Sequence, residues 1–298
     1  MKVEKEGRAL RTMKKLKWLL GFAYPVVGDR PIADITAPEL LVALRKVEAK
    51  GHYETARRLR NTCSCVFRYA VATGRADRDV TQDLRGALIT PQVKHYAAIL
   101  NPVDVGGLLR AIDGFEGQPA IAYAMKMAPH LFVRPSELRY AEWAEIDCEN
   151  AIWTIPETKT KMRREHKVPL SKQTLEMLDE LRAMTGDGMF LFPGVRSPLR
   201  PISDNTMNAV LRRLGYDKTQ MTAHGFRAMA ATLLNEMGIW NPDAIERQLA
   251  HQDSNSVRRA YTRGEYWDER VRMMQHWSDY LDELRNGATI LTGSFGSR

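Results

Sequence analysis

Two imidazoles, a guanidinium and a phenol lie close together near the C-terminal end of the chain. They are His224 and Arg227 in Met221-Thr-Ala-His-Gly-Phe-Arg-Ala-Met229, His251 in Leu249-Ala-His251, and Tyr261 in Val257-Arg-Arg-Ala-Tyr-Thr-Arg263. A further arginine, Arg134, stands well upstream in Val133-Arg-Pro-Ser-Glu-Leu138. Guanidinium groups offer a fixed fork of donors that matches two phosphate oxygens, and a tyrosine hydroxyl can attack phosphorus. Together these groups suit a cationic cradle for a phosphodiester with a phenol aimed at it. Cleaving such a diester without a metal needs neutralised oxygens, an in-line nucleophile and a proton for the leaving oxygen.

Taken singly, each residue has a plainer reading. Arg134 opens a helix and could simply pair with Glu137. His224-x-x-Arg227 sets two heads one helical turn apart, yet a chain this rich in arginine produces that spacing by accident. Its apolar sequel, Met229-Ala-Ala-Thr-Leu-Leu234, reads as a buried helix able to hold the pair rigidly. Lys159, Lys161, Arg163 and Arg164 crowd a hairpin tip, which is usually a solvated turn, and His166 beyond them could be structural. His251 could be a satisfied histidine at a helix end. Tyr266 and Tyr280 rival Tyr261, but neither has its spacing from His251, and Tyr280 falls in the amphipathic stripe of the last helix.

The order Arg134, Lys161, His224-x-x-Arg227, His251, Tyr261 resembles that of the tyrosine recombinases. Lys161-Met-Arg-Arg-x-His-x-Val-Pro-Leu170 and His224-Gly-Phe-Arg-Ala-Met229 most resemble integrases of satellite phages and genomic islands. Arg134-Pro-Ser-Glu-Leu138 resembles the family's Arg-x-Gly-Glu-Leu element, with Ser136 in place of glycine, and Leu249-Ala-His251 resembles its Leu-Gly-His. The resemblance implies that Arg134, Arg227, His224 and His251 hold the phosphate, and that Glu137 orients Arg134 rather than reacting. It implies Tyr261 as the nucleophile. It also implies a hairpin lysine that enters the minor groove and protonates the leaving 5′-oxygen; Lys161 matches best, with Lys159 the runner-up. Arg163 and Arg164 would touch the DNA backbone.

The elements that must position these groups can be read from periodicity and punctuation. In the N-terminal third, helices are expected at about 8–24, from Pro38 to Lys50, and over 53–73. Leu10, Met13, Leu16, Leu19 and Leu20 share a face of the first. Thr36 is a natural N-cap for the second, with Pro38 in its first turn. The third carries Arg57, Arg58, Arg60 and Arg68 around an apolar stripe of Leu59, Val66, Phe67 and Ala70. Punctuation by Gly86, Pro91 and Pro102 suggests residues 1–90 as a helical core-type DNA-binding domain, 91–101 as a linker and 102–298 as a catalytic domain. In that last domain helices are expected at 102–113, 118–129, 171–185, 203–214, 224–237, 242–249 and 265–286. A strand pair is expected at Ala151–Pro156 and His166–Leu170, and a small polar tail runs from Gly287 to Arg298. Val271, Met274, Trp277 and Leu281 form an apolar stripe on the last helix, which packs on its own core or docks a partner.

The chain has 298 residues and a formal net charge of +8. The excess is N-terminal: residues 1–100 carry 19 Lys+Arg against 10 Asp+Glu, and the remainder nearly cancels. A basic N-terminal part fits a backbone-gripping role, which favours DNA contact by the four arginines over a merely solvated face. No apolar run is long enough to span a membrane and the first residues lack a signal-peptide core, so a cytoplasmic protein without a membrane partner is expected. Cys63, Cys65 and Cys148 are too few for a disulfide framework, and Cys63-Ser-Cys65 has no companion cluster for a metal.

The resemblance spans essentially the whole chain and implies a mainly α fold. A helical core-binding domain precedes a mixed, mostly helical catalytic domain with a small antiparallel sheet. Such integrases usually carry a further N-terminal domain for arm-type sites; residue 1 falls inside the core-binding domain, so that domain is expected to be lacking. The implied activity is site-specific recombination of double-stranded attachment-site core DNA, through a 3′-phosphotyrosyl intermediate and a Holliday junction, for integration or excision of a mobile element. It implies a tetramer on DNA, a monomer in solution, no cofactor, and a host DNA-bending factor and an excisionase as accessory partners. Two alternatives share parts of this pattern: a type IB topoisomerase-like enzyme, and a non-catalytic DNA-binding remnant of an integrase.

Overall fold

The computed structural model describes residues 10–91, 96–251 and 265–287, which fall into two compact units, one within residues 1–94 and the other within 95–298. In the first unit, α1 (Leu10–Leu20), α2 (Tyr24–Val27), α3 (Ala37–Glu48) and α4 (Tyr53–Ala72) bury Leu19, Leu40, Leu44, Ala56, Leu59 and Phe67 between them. The single helix expected over 8–24 is broken. Pro25 lacks an N–H, and in a continuous helix its ring would strike the carbonyl one turn back, so the chain turns and restarts as α2 with Pro25 in its first turn. Thr36 opens α3 as expected, its backbone N–H and hydroxyl both donating to Glu39 at 2.9 and 2.8 Å.

The four arginines of α4 have unlike surroundings. Arg57 and Arg68 are exposed, and Arg58 is ion-paired with Glu54 at 2.7 Å. Arg60 is half-buried and donates to the Leu84 carbonyl. Val66, placed in the apolar stripe by the sequence, is exposed, because the helix face that meets α3 is set by Ala56, Leu59, Cys63, Phe67 and Ala70. Cys63 faces that core and Cys65 faces outward.

The second unit begins with α5 (Pro102–Asp113), α6 (Pro119–Leu131) and α7 (Pro135–Arg139). A three-stranded antiparallel sheet follows, β1 (Ile146–Asp147), β2 (Ile152–Ile155) and β3 (His166–Pro169), in that order, with Trp153 opposite Val168 and Ile155 opposite His166. Then come α8 (Lys172–Thr185), a hairpin of β4 (Pro193–Gly194) and β5 (Ser197–Pro201), α9 (Thr206–Arg213), α10 (Gly225–Met237), α11 (Pro242–Gln248) and α12 (Trp267–Asn286). The architecture is thus mainly helical with two small antiparallel sheets. Short α7, two-residue β1 and the proline-rich β4–β5 hairpin carry too few periodic residues to announce themselves in sequence.

Residues 96–101, expected in the linker, lie in this unit: Ile99 packs on its core, and the Ala97 carbonyl accepts from the Thr222 N–H at 3.2 Å. The last helix packs on its own unit, burying Met273, Met274, Trp277, Leu281 and Leu284, while Val271 of the expected stripe stays 43% exposed. Trp277 donates its indole N–H to the Pro129 carbonyl at 2.8 Å. At Gly106 a Cβ would lie 2.2 Å from the Leu284 carbonyl oxygen, so α5 and α12 meet backbone to backbone only because that residue is glycine. Among the described residues no helix is long and apolar enough to cross a membrane. Tail residues 288–298 lie outside the described residues.

Candidate active site

The short helix α11 ends where the site begins. The last carbonyls of any helix have no partner inside it, and the helix dipole leaves them electronegative. Here three successive carbonyls each receive a donor from a different element. The Gln248 oxygen accepts from His166 Nε2 of β3 at 3.1 Å, the Leu249 oxygen from Arg227 Nη2 of α10 at 2.6 Å, and the Ala250 oxygen from Arg134 Nη2 at the start of α7 at 3.1 Å. His251 then turns its ring back, with Nε2 3.2 Å from Arg227 Nη2 and Nδ1 2.8 Å from Glu246. The structure therefore brings Arg134, Arg227 and His251 onto one short stretch of backbone.

Each arginine is held from a second side. Arg227 is 4% exposed, and its Nη1 donates to the Phe132 carbonyl at 2.8 Å. Arg134 caps α7, donating through Nη1 to Glu137 Oε1 at 2.8 Å while its backbone N–H donates to Oε2 at 2.9 Å. Glu137 is buried and fully occupied by these two bonds. Phe132 and Ala250, whose carbonyls meet the two guanidinium groups, both adopt left-handed backbone angles, at φ +34° and +48°. Such angles are strained for residues with a Cβ, at about 1–3 kcal/mol each, and strain of this kind is retained where the fold over-determines it. Ala250 stands where the resembling element has glycine.

His224 is the N-cap of α10 and half-buried, its ring tilted against that of Tyr96 at a centroid distance of 4.4 Å. Burial, and then the charges of Arg227, Arg134, His251 and Lys161, hold its pKa below the ordinary histidine value. Gly225, next to it, has no room for a side chain: a Cβ would lie 2.4 Å from the Ala97 carbonyl. The two hairpin lysines separate cleanly. Lys159 is committed, donating to the Tyr140 carbonyl at 2.8 Å and ion-paired with Glu142 at 2.6 Å and with Glu145. Lys161 is exposed on a turn closed by Thr160, whose hydroxyl bonds both the backbone N–H and carbonyl of Arg164. Arg163 and Arg164 are exposed on the same turn.

Tyr261 lies outside the described residues, in the segment 252–264 between His251 and α12. Of its rivals, Tyr280 is partly buried against Trp277 at a ring distance of 5.9 Å, and burial and then nearby carboxylates raise its pKa. Tyr266 is the residue before α12, at φ +47°. Sequence reasoning passed over Glu246, which meets His251 five residues on, and Gln248, Arg270 and Tyr96, which join the site through tertiary packing and carry no spacing signal. Among the described residues no cluster of metal-ligand side chains occurs.

This geometry sits in a recognisable chain. Residues 1–87 match the family described as phage integrase central domain, and residues 100–266 match the phage integrase family. The integrase of Enterobacteria phage P4 is 39% identical over 285 residues, covering 91% of this chain and 65% of that protein. The integrase of Shigella phage Sf6 is 36% identical, covering 91% of this chain and 72% of its own length. The chain thus spans about two thirds of the P4 protein. In fold, a lambda integrase fragment (75–356), solved as a dimer on a core site, superposes with a TM-score of 0.67 at 20% identity, covering 84% of this chain and 91% of that one. The chain belongs to the phage integrase family.

Two buried histidines give the second unit an acid limit. Burial, and then the charge of Arg270, push His166 down to about 3, and burial pushes His130 down to about 4. The unfolded chain binds these protons near pH 6.5 while the native state refuses them. Stability is therefore level above about pH 6.5 and falls as the pH drops towards those values, by up to about 1.4 kcal/mol per pH unit for each histidine. In thermal melts from pH 7.5 to 4.5, His130→Asn should show a shallower acid loss than the parent chain. Parallel curves would contradict the buried neutral state.

Proposed function

We propose that this chain is a site-specific DNA recombinase that cleaves and rejoins double-stranded core-site DNA for integration or excision of a mobile element. The observation that carries this reading is the convergence of Arg134, Arg227 and His251 on the 248–250 carbonyls, with His224 and Lys161 in the same electrostatic field. Arg134 and Arg227 face their guanidinium donors to the phosphate oxygens, and His224 and His251 complete the cradle. The Tyr261 oxygen attacks phosphorus; the P–O5′ bond breaks as the P–O(Tyr) bond forms. Lys161 gives its proton to the departing 5′-oxygen. That Lys159 is already held by two carboxylates supports Lys161 for this step. A phosphotyrosyl ester keeps the energy of the broken bond, so a DNA hydroxyl can reverse the reaction without ATP.

The pentavalent transition state carries more negative charge than the diester, so fixed cations stabilise it preferentially. Residues 1–90 would supply the basic grip on the backbone through arginines such as Arg57, Arg58, Arg60 and Arg68, and residues 102–298 the chemistry. Four protomers would act on two sites, in keeping with relatives: lambda integrase has been solved as a tetramer bound to a Holliday junction. The proposed setting is the cytoplasm.

The test is trapping on a labelled, nicked core site analysed by denaturing electrophoresis. The parent chain should become joined to a 3′-phosphate with a free 5′-hydroxyl, and EDTA should not prevent it. Tyr261→Phe should bind DNA and form no adduct. Peptide mapping of the adduct to Tyr266 or Tyr280 would move the nucleophile, and an EDTA-sensitive cut without attached protein would refute the recombinase reading.

Lys161→Ala should slow cleavage of an ordinary site by about 10²–10⁴-fold, the usual worth of a general acid. A site with a 5′-bridging sulfur, which leaves without a proton, should recover most of that loss. Equal slowing of both substrates would make Lys161 a groove contact only.

A further inference from the structure

Arg270, on the first turn of α12, is 1% exposed; among the described residues it donates hydrogen bonds only to neutral oxygens and lies beside an aromatic ring, with the Glu265 carboxylate acting on it without a hydrogen bond. Its Nε and Nη2 both donate to Gln248 Oε1, at 3.0 and 2.7 Å, and Nη2 also donates to the Lys167 carbonyl. The guanidinium lies 5.5 Å from the Trp267 ring centroid. Burying a cation on neutral acceptors costs free energy that an apolar side chain of the same size would avoid. Gln248 is itself fully buried, and among the described residues its Nε2 has no partner. For stability alone, this polar knot is a poor use of the core.

What the knot joins explains it. Gln248 is the residue at which α11 ends, and its own carbonyl and the next two carry His166, Arg227 and Arg134. Lys167 lies on β3, the return strand of the hairpin that bears Lys161. Arg270 therefore ties three elements at one point: the carbonyl run under the phosphate cradle, the base of the lysine hairpin, and the start of α12. A second clasp, Arg247 with Glu265 at 2.5 Å, closes the same junction from the surface. Displacing reacting groups by an ångström or so costs about 100-fold in rate, which is the scale on which such a tie matters.

We propose that Arg270, acting through Gln248 and the Lys167 carbonyl, is a positioning residue for DNA cleavage: it fixes the carbonyl run and the lysine hairpin relative to each other. It touches no reacting atom. The proposal rests on the recombinase reading, and the test separates the two.

Arg270→Met strands the Gln248 amide in an apolar pocket and should lower the melting temperature. The double variant Arg270→Met/Gln248→Met removes the guanidinium and the amide together, leaving only the Lys167 carbonyl to find another donor, and should recover much of that stability, since replacing a buried polar pair by apolar groups is nearly neutral. A purely structural residue would let cleavage recover with stability. A positioning residue would not. We expect the double variant to bind nicked core DNA within about 3-fold of the parent, yet to form the covalent adduct at least about 10-fold more slowly at saturating DNA. Arg270→Lys, which keeps the charge and loses the fork, should be impaired in the same way. Parent-like rates in the stable double variant would overturn the positioning role while leaving the recombinase reading intact. No adduct from the parent chain itself would overturn both.

Discussion

The two arginines and His251 of the site hang on the C-terminal end of one seven-residue helix. The orphan carbonyls of Gln248, Leu249 and Ala250 are obliged to find donors, and the dipole of α11 makes them attractive to cations. By satisfying them with His166, Arg227 and Arg134, the fold meets a backbone requirement and gathers two guanidinium groups in one act. Carbonyls rather than carboxylates do most of the holding. Among the described residues Arg227 donates to no carboxylate, and Arg134 donates to one, Glu137. Cations held this way keep much of their charge available to an incoming anion, whereas a full set of ion pairs would have spent it.

That arrangement has a cost visible in the molecule. Two guanidinium groups near each other raise the local potential; burial, and then Arg134, push Arg227 down to about 10, still charged at neutral pH. The same field and the same burial keep His166 neutral, so that it serves as a hydrogen-bond donor to a carbonyl and adds no further charge. Left-handed backbone at Phe132 and Ala250 is part of the same constraint, since those turns aim the carbonyls that the arginines need. Sites built for charge stabilisation are commonly strained and polar in this way.

Much of this was legible in the residues. The helices at 102–113, 172–185, 225–237 and 267–286 announce themselves by apolar period and punctuation, and the bounds expected from sequence fall within two residues of the observed ones. The gathering of Arg134 with Arg227 and His251 followed from their order and from family resemblance, since no local spacing links residues so far apart. What stayed hidden was tertiary. Val271 and Val66 look like core residues on a helical wheel, and only the placement of the facing helices leaves them exposed. Gln248 and Arg270 look like surface residues by type; their burial depends on three elements meeting, which no window of sequence contains. Only family resemblance ranks Lys161 above Lys159 in sequence; the physical difference, Glu142 and Glu145 brought beside Lys159, is tertiary.

On the proposed recombinase reading, the guanidinium of Arg227 is fixed in advance for the transition state and matters more to the cleavage rate than to DNA affinity. This is tested most directly with Arg227→Lys, whose single ammonium cannot bridge the Phe132 and Leu249 carbonyls and still face a phosphate in the same geometry. Single-turnover cleavage of a nicked core site at saturating protein should be measured beside the affinity for that DNA. The expected result is affinity within about 3-fold of the parent and a cleavage rate lower by about 10²–10³-fold, the loss typical of one misplaced charge-stabilising donor. An unchanged rate at saturation, with the whole defect in affinity, would contradict it.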